Sequence, residues 1–72
     1  MTTVLGVVES FDGERGYGLL RADGGPGFFF HCAEIADGSR LIDVGVRASG
    51  ERRVGLLGHD EVAHVAPLGA RR

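Results

Sequence analysis

Arg15-Gly16-Tyr17-Gly18-Leu19-Leu20 and Phe28-Phe29-Phe30-His31 set aromatic side chains and a cation along two short segments with glycines beside them. Rings next to residues that lack side chains can receive flat partners, and stacking of unpaired nucleic-acid bases is the chemistry such a surface performs. Side chains alternate across a strand, so Tyr17 and Leu19 fall on one face and Gly18 and Leu20 on the other. Phe29 and His31 oppose Phe28 and Phe30 in the same way. With Leu20, Phe28 and Phe30 assigned to a core, Tyr17, Leu19, Phe29 and His31 lie side by side toward solvent. Leaving aromatics exposed forgoes the stability of burying them, and stacking supplies a reason to do so. Arg15, at the turn edge, is placed to meet a phosphate or to lie flat on a base. A strand buried on both faces is the plainer reading of an isolated Phe triplet. Its pairing with Arg15-Gly16-Tyr17-Gly18 favours the stacking face.

Other chemistries find less support. His59 and His64 with Asp60 and Glu61 suggest a metal site, but on a strand their spacing puts the two histidines on opposite faces. His31-Cys32 suggests a nucleophile and base, yet strand neighbours point apart and no third group is placed to orient them. Gly13, Gly16 and Gly18 lack the spacing and following helix of a dinucleotide fingerprint. No catalytic residue, metal or cofactor is expected.

The elements that must position the aromatic face are short. Thirteen glycines and two prolines spread along 72 residues disfavour long helices. Strands are expected at Val4 to Phe11, Gly16 to Ala22, Phe28 to Cys32, Val46 to Val54 and Glu61 to Leu68. Asp12-Gly13 favours a hairpin-type turn, and Asp23-Gly24-Gly25-Pro26-Gly27 forms a loop. Ala33 to Ala36 makes one helical turn that Gly38 ends. Leu56-Leu57 lies in a glycine-bounded loop, and Gly69 to Arg72 is a frayed basic tail. Five short strands with turn signals read as a small all-β barrel or sandwich.

Composition bounds the partners. One domain fits in this length, and a chain this short buries only about 60% of its unfolded surface, which keeps stability marginal. A single cysteine precludes an internal disulfide, and the chain opens without a secretory pattern, so a reducing, cytoplasmic setting is expected. No apolar run approaches the length that crosses a bilayer. The net charge of −2 is the wrong sign for coating duplex nucleic acid electrostatically.

With these residues in view, the chain resembles the bacterial cold-shock protein family. Arg15-Gly16-Tyr17-Gly18-Leu19-Leu20 looks like that family's first ribonucleoprotein motif, K-G-F-G-F-I. Phe28-Phe29-Phe30-His31-Cys32 is similar to the second, V-F-V-H-F, and Ala33-Glu34-Ile35 follows it as S-A-I does. Gly6-Val7-Val8-Glu9-Ser10-Phe11-Asp12 corresponds to G-x-V-K-W-F-N of the first strand. The likeness is strong through the first half and weak from Gly38 onward. Motif order and the lack of two full helices separate it from the RNA recognition motif.

The resemblance implies a five-stranded antiparallel OB-type barrel over residues 1–68 that binds single-stranded RNA, ahead of DNA, without catalysis or ATP. An RNA chaperone or a regulator of gene expression is the implied role, as a monomer or weak dimer. Carried over position by position, the binding face comprises Glu9, Ser10, Phe11, Arg15, Tyr17, Leu19, Phe29, His31 and Cys32. Here Glu9 replaces a Lys, Ser10 a Trp, and Leu19 and Cys32 two Phe. Each lost platform removes on the order of 1 kcal/mol or more, so affinity is expected to fall by about two or more orders of magnitude, with Glu9 repelling phosphate. Inside the barrel, Ala48, Gly50 and Arg52 replace large apolar residues of the fourth strand, and Phe28 and Phe30 replace valines. The alternative is a cold-shock-derived interaction or structural module that meets a protein through the sheet face or the Leu56-Leu57 loop.

Overall fold

A computed structural model describes residues 2–36, 38–55 and 60–68. Five strands, β1 (Thr2–Asp12), β2 (Tyr17–Ala22), β3 (Gly27–His31), β4 (Arg47–Val54) and β5 (Asp60–Pro67), close into a barrel in the order β1-β2-β3-β5-β4. A single 3-10 turn, Cys32–Glu34, follows β3. All neighbours are antiparallel except β3 and β5, which meet in parallel through Phe29 and Glu61. The expected all-β, five-stranded OB-type barrel is the observed fold, with strand ends shifted by one or two residues. The Leu56-Leu57 loop, His59 and the tail from Gly69 lie outside the described residues.

Alternation makes the core. Val4 and Val8 of β1, Leu20 of β2, Phe28 and Phe30 of β3, Ala48 of β4, and Val62 and Val65 of β5 point inward with Ile35. Burying such side chains removes their apolar area from water at roughly 25 cal/mol per Å². Gly50 is buried, and a Cβ there would sit 2.9 Å from Cβ of Val62, so the thin strand is matched by a close neighbour. Arg52 is not inside as its parity suggested. It stands opposite Thr2 at the barrel end, where its guanidinium reaches Asp60 at 3.3 Å in solvent.

One irregularity decides the face. The β1–β2 register slips between Val8 and Ser10: Val8 opposes Leu20, but Ser10 opposes Leu19. A bulge adds one residue to a strand and so reverses the parity of everything after it. Glu9 and Ser10 are therefore both exposed, and Phe11 turns inward. Its ring lies nearly parallel to that of Phe30, with centroids 6.2 Å apart and planes at 12°. The connection from β1 to β2 is longer than the Asp12-Gly13 pair alone implies. Asp12 Oδ1 accepts from the backbone N–H groups of Glu14 and Arg15, and Gly16 closes the turn at φ +78°. That left-handed conformation suits glycine and few other residues.

Candidate nucleic-acid interface

Two register rows cross the outer surface of β1, β2, β3 and β5. The first runs Ser10–Leu19–Phe29–Glu61, and the second runs Asp12–Tyr17–His31. Tyr17 is 42% exposed and Phe29 54% exposed, with His31 beside them. Tyr17, Phe29, His31 and Glu61 surround a shallow hollow of about 160 Å³ floored by Phe30. The two glycines flanking Tyr17 are there for space. A Cβ on Gly18 would lie 2.7 Å from Cζ of Phe30 and from the Ser10 carbonyl oxygen, and one on Gly16 would lie 3.1 Å from Cys32 Sγ. Side chains at either position would displace the Phe30 ring or the residue that follows β3.

His31 ends its strand by its own side chain. Its Nδ1 accepts from the Ala33 backbone N–H at 3.2 Å, starting the 3-10 turn. A neutral imidazole that accepts at Nδ1 carries its proton on Nε2, so His31 presents both a ring face and an N–H donor.

The remaining expected site residues divide. Ser10 is exposed at the row's edge, and Leu19 is half-buried, its side chain spread over Gly27, where a Cβ would fall 2.9 to 3.1 Å from it. Leu19 thus offers an apolar edge rather than a standing platform. Phe11 departs from its expected place, because the bulge turns its ring onto Phe30. Cys32 departs as well: the chain leaves the strand at His31, and Cys32 packs half-buried against the core. The same turn brings its Sγ to 3.9 Å from His31 Nδ1, so the two side chains do not point apart as strand neighbours would. Arg15 is well exposed and only loosely tied to Asp12 at 3.8 Å, leaving its guanidinium available.

Glu9 is not the bare negative charge the sequence suggests. Arg21 Nε and Nη2 donate to its two carboxylate oxygens at 2.7 and 3.2 Å, and this hydrogen-bonded pair holds the Glu9 carboxyl below its usual range. Arg47 does the same for Asp23. At Glu34 partial burial pushes the carboxyl up, but hydrogen bonds from Arg53 and the His64 backbone N–H outweigh that and hold it low. Arg53 also lies 3.8 Å from Glu61. These guanidiniums are engaged by carboxylates, which leaves the face short of free positive charge.

A pH dependence follows. Groups whose folded pKa lies below the unfolded value, near 4 for carboxylates, stabilise the fold above that value and cease to do so as pH falls through the folded pKa. The urea midpoint is expected to drop below about pH 4. A midpoint unchanged to about pH 2.5 would show that the pairs contribute nothing, as many exposed pairs do.

Sequence reasoning missed Glu61 as part of the face. It reaches the hollow only through the parallel β3–β5 contact, which joins residues 32 positions apart (61 − 29) and leaves no local signal. A larger hollow of about 490 Å³ at the barrel end is lined by Val4, Pro26 and Phe28 and rimmed by Arg52 and Asp60, and shares no residue with the aromatic one. Among the described residues no three His, Cys, Asp or Glu side chains gather as metal ligands, and no helix is long and apolar enough to cross a membrane.

Fold and face together define a small OB-type barrel with an exposed aromatic sheet surface. No protein-family model matches the chain, and no curated protein matches it in sequence.

Proposed function

We propose that this protein is a divergent cold-shock-type barrel that binds single-stranded nucleic acid through Tyr17, Phe29 and His31, with Arg15 at the edge. The observation that carries the reading is the exposure of these three rings on adjacent rows of one sheet face, around a common hollow. Unpaired bases stack on such rings with little sequence demand, each contributing about 1 to 3 kcal/mol. Captured strands leave the pairing equilibrium, so the protein opens weak RNA structure without ATP, as an RNA chaperone or a regulator of gene expression in a reducing cytoplasm.

Three platforms rather than a full set, and arginines tied to carboxylates, argue for weak binding carried by bases instead of phosphates. The salt dependence should then be shallow, since each phosphate neutralised adds only about −0.7 to the log–log slope for a single strand. The test is titration of a fluorescent mixed-sequence oligonucleotide at low salt, with His31→Ala and Arg15→Ala in parallel. We expect saturable binding at tens of micromolar (~10⁻⁵ M), weakened more by His31→Ala than by Arg15→Ala. Absence of binding at that protein concentration would sink the reading, and binding indifferent to His31 would sink the site.

A further inference from the structure

We propose that Glu61 makes the aromatic hollow selective for a base that presents hydrogen-bond donors on its pairing edge, guanine foremost, and against uracil and thymine. The inference rests on the strand-binding reading above and adds a specificity-determining residue to it. Glu61 continues the row of Phe29 across the β3–β5 contact and lines the hollow with Tyr17, Phe29 and His31. Its side chain is 35% exposed. Two neighbours set its place. The carboxylate rests where a side chain on Gly55 would be, a Cβ there falling onto Oε2, and Arg53 Nε lies 3.8 Å from Oε1. Arg53 gives its short hydrogen bond to Glu34, at 2.9 Å, so it balances the charge of Glu61 without occupying its lone pairs. Among the described residues no N–H or O–H meets the Glu61 carboxylate within hydrogen-bond distance.

An ionised carboxylate only accepts hydrogen bonds. Guanine offers two adjacent donors, N1–H and the N2 amine, which two carboxylate oxygens can receive together. Adenine and cytosine offer one amine each. Uracil and thymine place one N–H between two carbonyl oxygens, and those oxygens face the carboxylate with like polarity. A base stacked in the hollow is thus ranked by its edge, and rejection of the wrong edge contributes as much as attraction to the right one. A bidentate contact of this kind discriminates by roughly 5- to 150-fold.

The experiment uses uracil hexamers carrying one central guanine, inosine or uracil, a single substitution that avoids guanine self-association. Wild-type protein is expected to bind in the order guanine, inosine, uracil, since inosine lacks the N2 amine. Glu61→Gln, whose amide donates as well as accepts, should bring the guanine-to-uracil ratio close to one. Gly55→Ala, which displaces the carboxylate and keeps its charge, should lower the ratio in the same direction, and both variants are checked for folding by circular dichroism. A wild-type preference for uracil, or a guanine preference that survives both substitutions, overturns the role of Glu61 and leaves strand binding standing. Failure of every hexamer to bind overturns both.

Discussion

Tyr17→Ala/Phe29→Ala is expected to weaken oligonucleotide binding by at least about 30-fold, taking a weak interaction beyond measurable range. Each ring removed costs about 1 to 3 kcal/mol of stacking, so the pair spans about 2 to 6 kcal/mol before coupling. The two residues occupy neighbouring rows on adjacent strands, and a strand that loses one platform is also held less well on the other. The fold should change little, because both side chains are exposed and surface changes on a sheet cost under about 1 kcal/mol. Leu5→Ala serves as the control: Leu5 is an exposed apolar residue on β1, opposite Ser49 of β4 and outside both aromatic rows. Equal loss from Leu5→Ala would mean that the oligonucleotide adheres to any apolar patch, and retention of affinity in the double variant would remove the aromatic face from the proposal.

The fold and most of this face are legible because they depend on a period of two. Alternation along Tyr17–Leu20 and Phe28–His31 assigns Leu20, Phe28 and Phe30 to the core and leaves Tyr17, Phe29 and His31 outside, and the structure has that arrangement. Where the face departs from expectation, something interrupts the period. Nothing in Val8-Glu9-Ser10 announces a bulge, since no glycine marks it, yet that one extra residue moves Phe11 from the surface to a stack on Phe30. Cys32 leaves the strand because the imidazole before it takes the Ala33 amide, a side-chain to backbone bond that propensities do not encode. Glu9 looks like a lone charge in the sequence because its partner Arg21 is 12 residues away, and their meeting depends on the β1–β2 register. Glu61 enters through a parallel contact between strands distant in sequence. Local pattern reached the strands and their faces, whereas pairings set by closure of the barrel did not show in it.

Phe30→Ala, by contrast with Phe29→Ala, is expected to cost the fold about 3 to 5 kcal/mol. Phe30 is 2% exposed, opposes Gly18 across β2, and carries the ring of Phe11 on its own. Truncation removes its contacts and leaves Phe11 without a partner, while Gly18, whose missing side chain makes room for the Phe30 ring, cannot fill the void. Little else is available to collapse inward, because the facing β4 contributes only Ala48 and Gly50 to the buried side. At roughly 0.05 to 0.15 kcal/mol per residue, a 72-residue domain holds about 4 to 11 kcal/mol in total. The substitution therefore removes from about a quarter to all of it, and the urea midpoint should fall sharply. Phe29→Ala, one position along the same strand, should shift the urea midpoint by under about 1 kcal/mol equivalent while weakening oligonucleotide binding. Adjacent residues of the same type thus separate stability from recognition. Equal destabilisation by both substitutions would contradict the division of β3 into a buried face and a binding face.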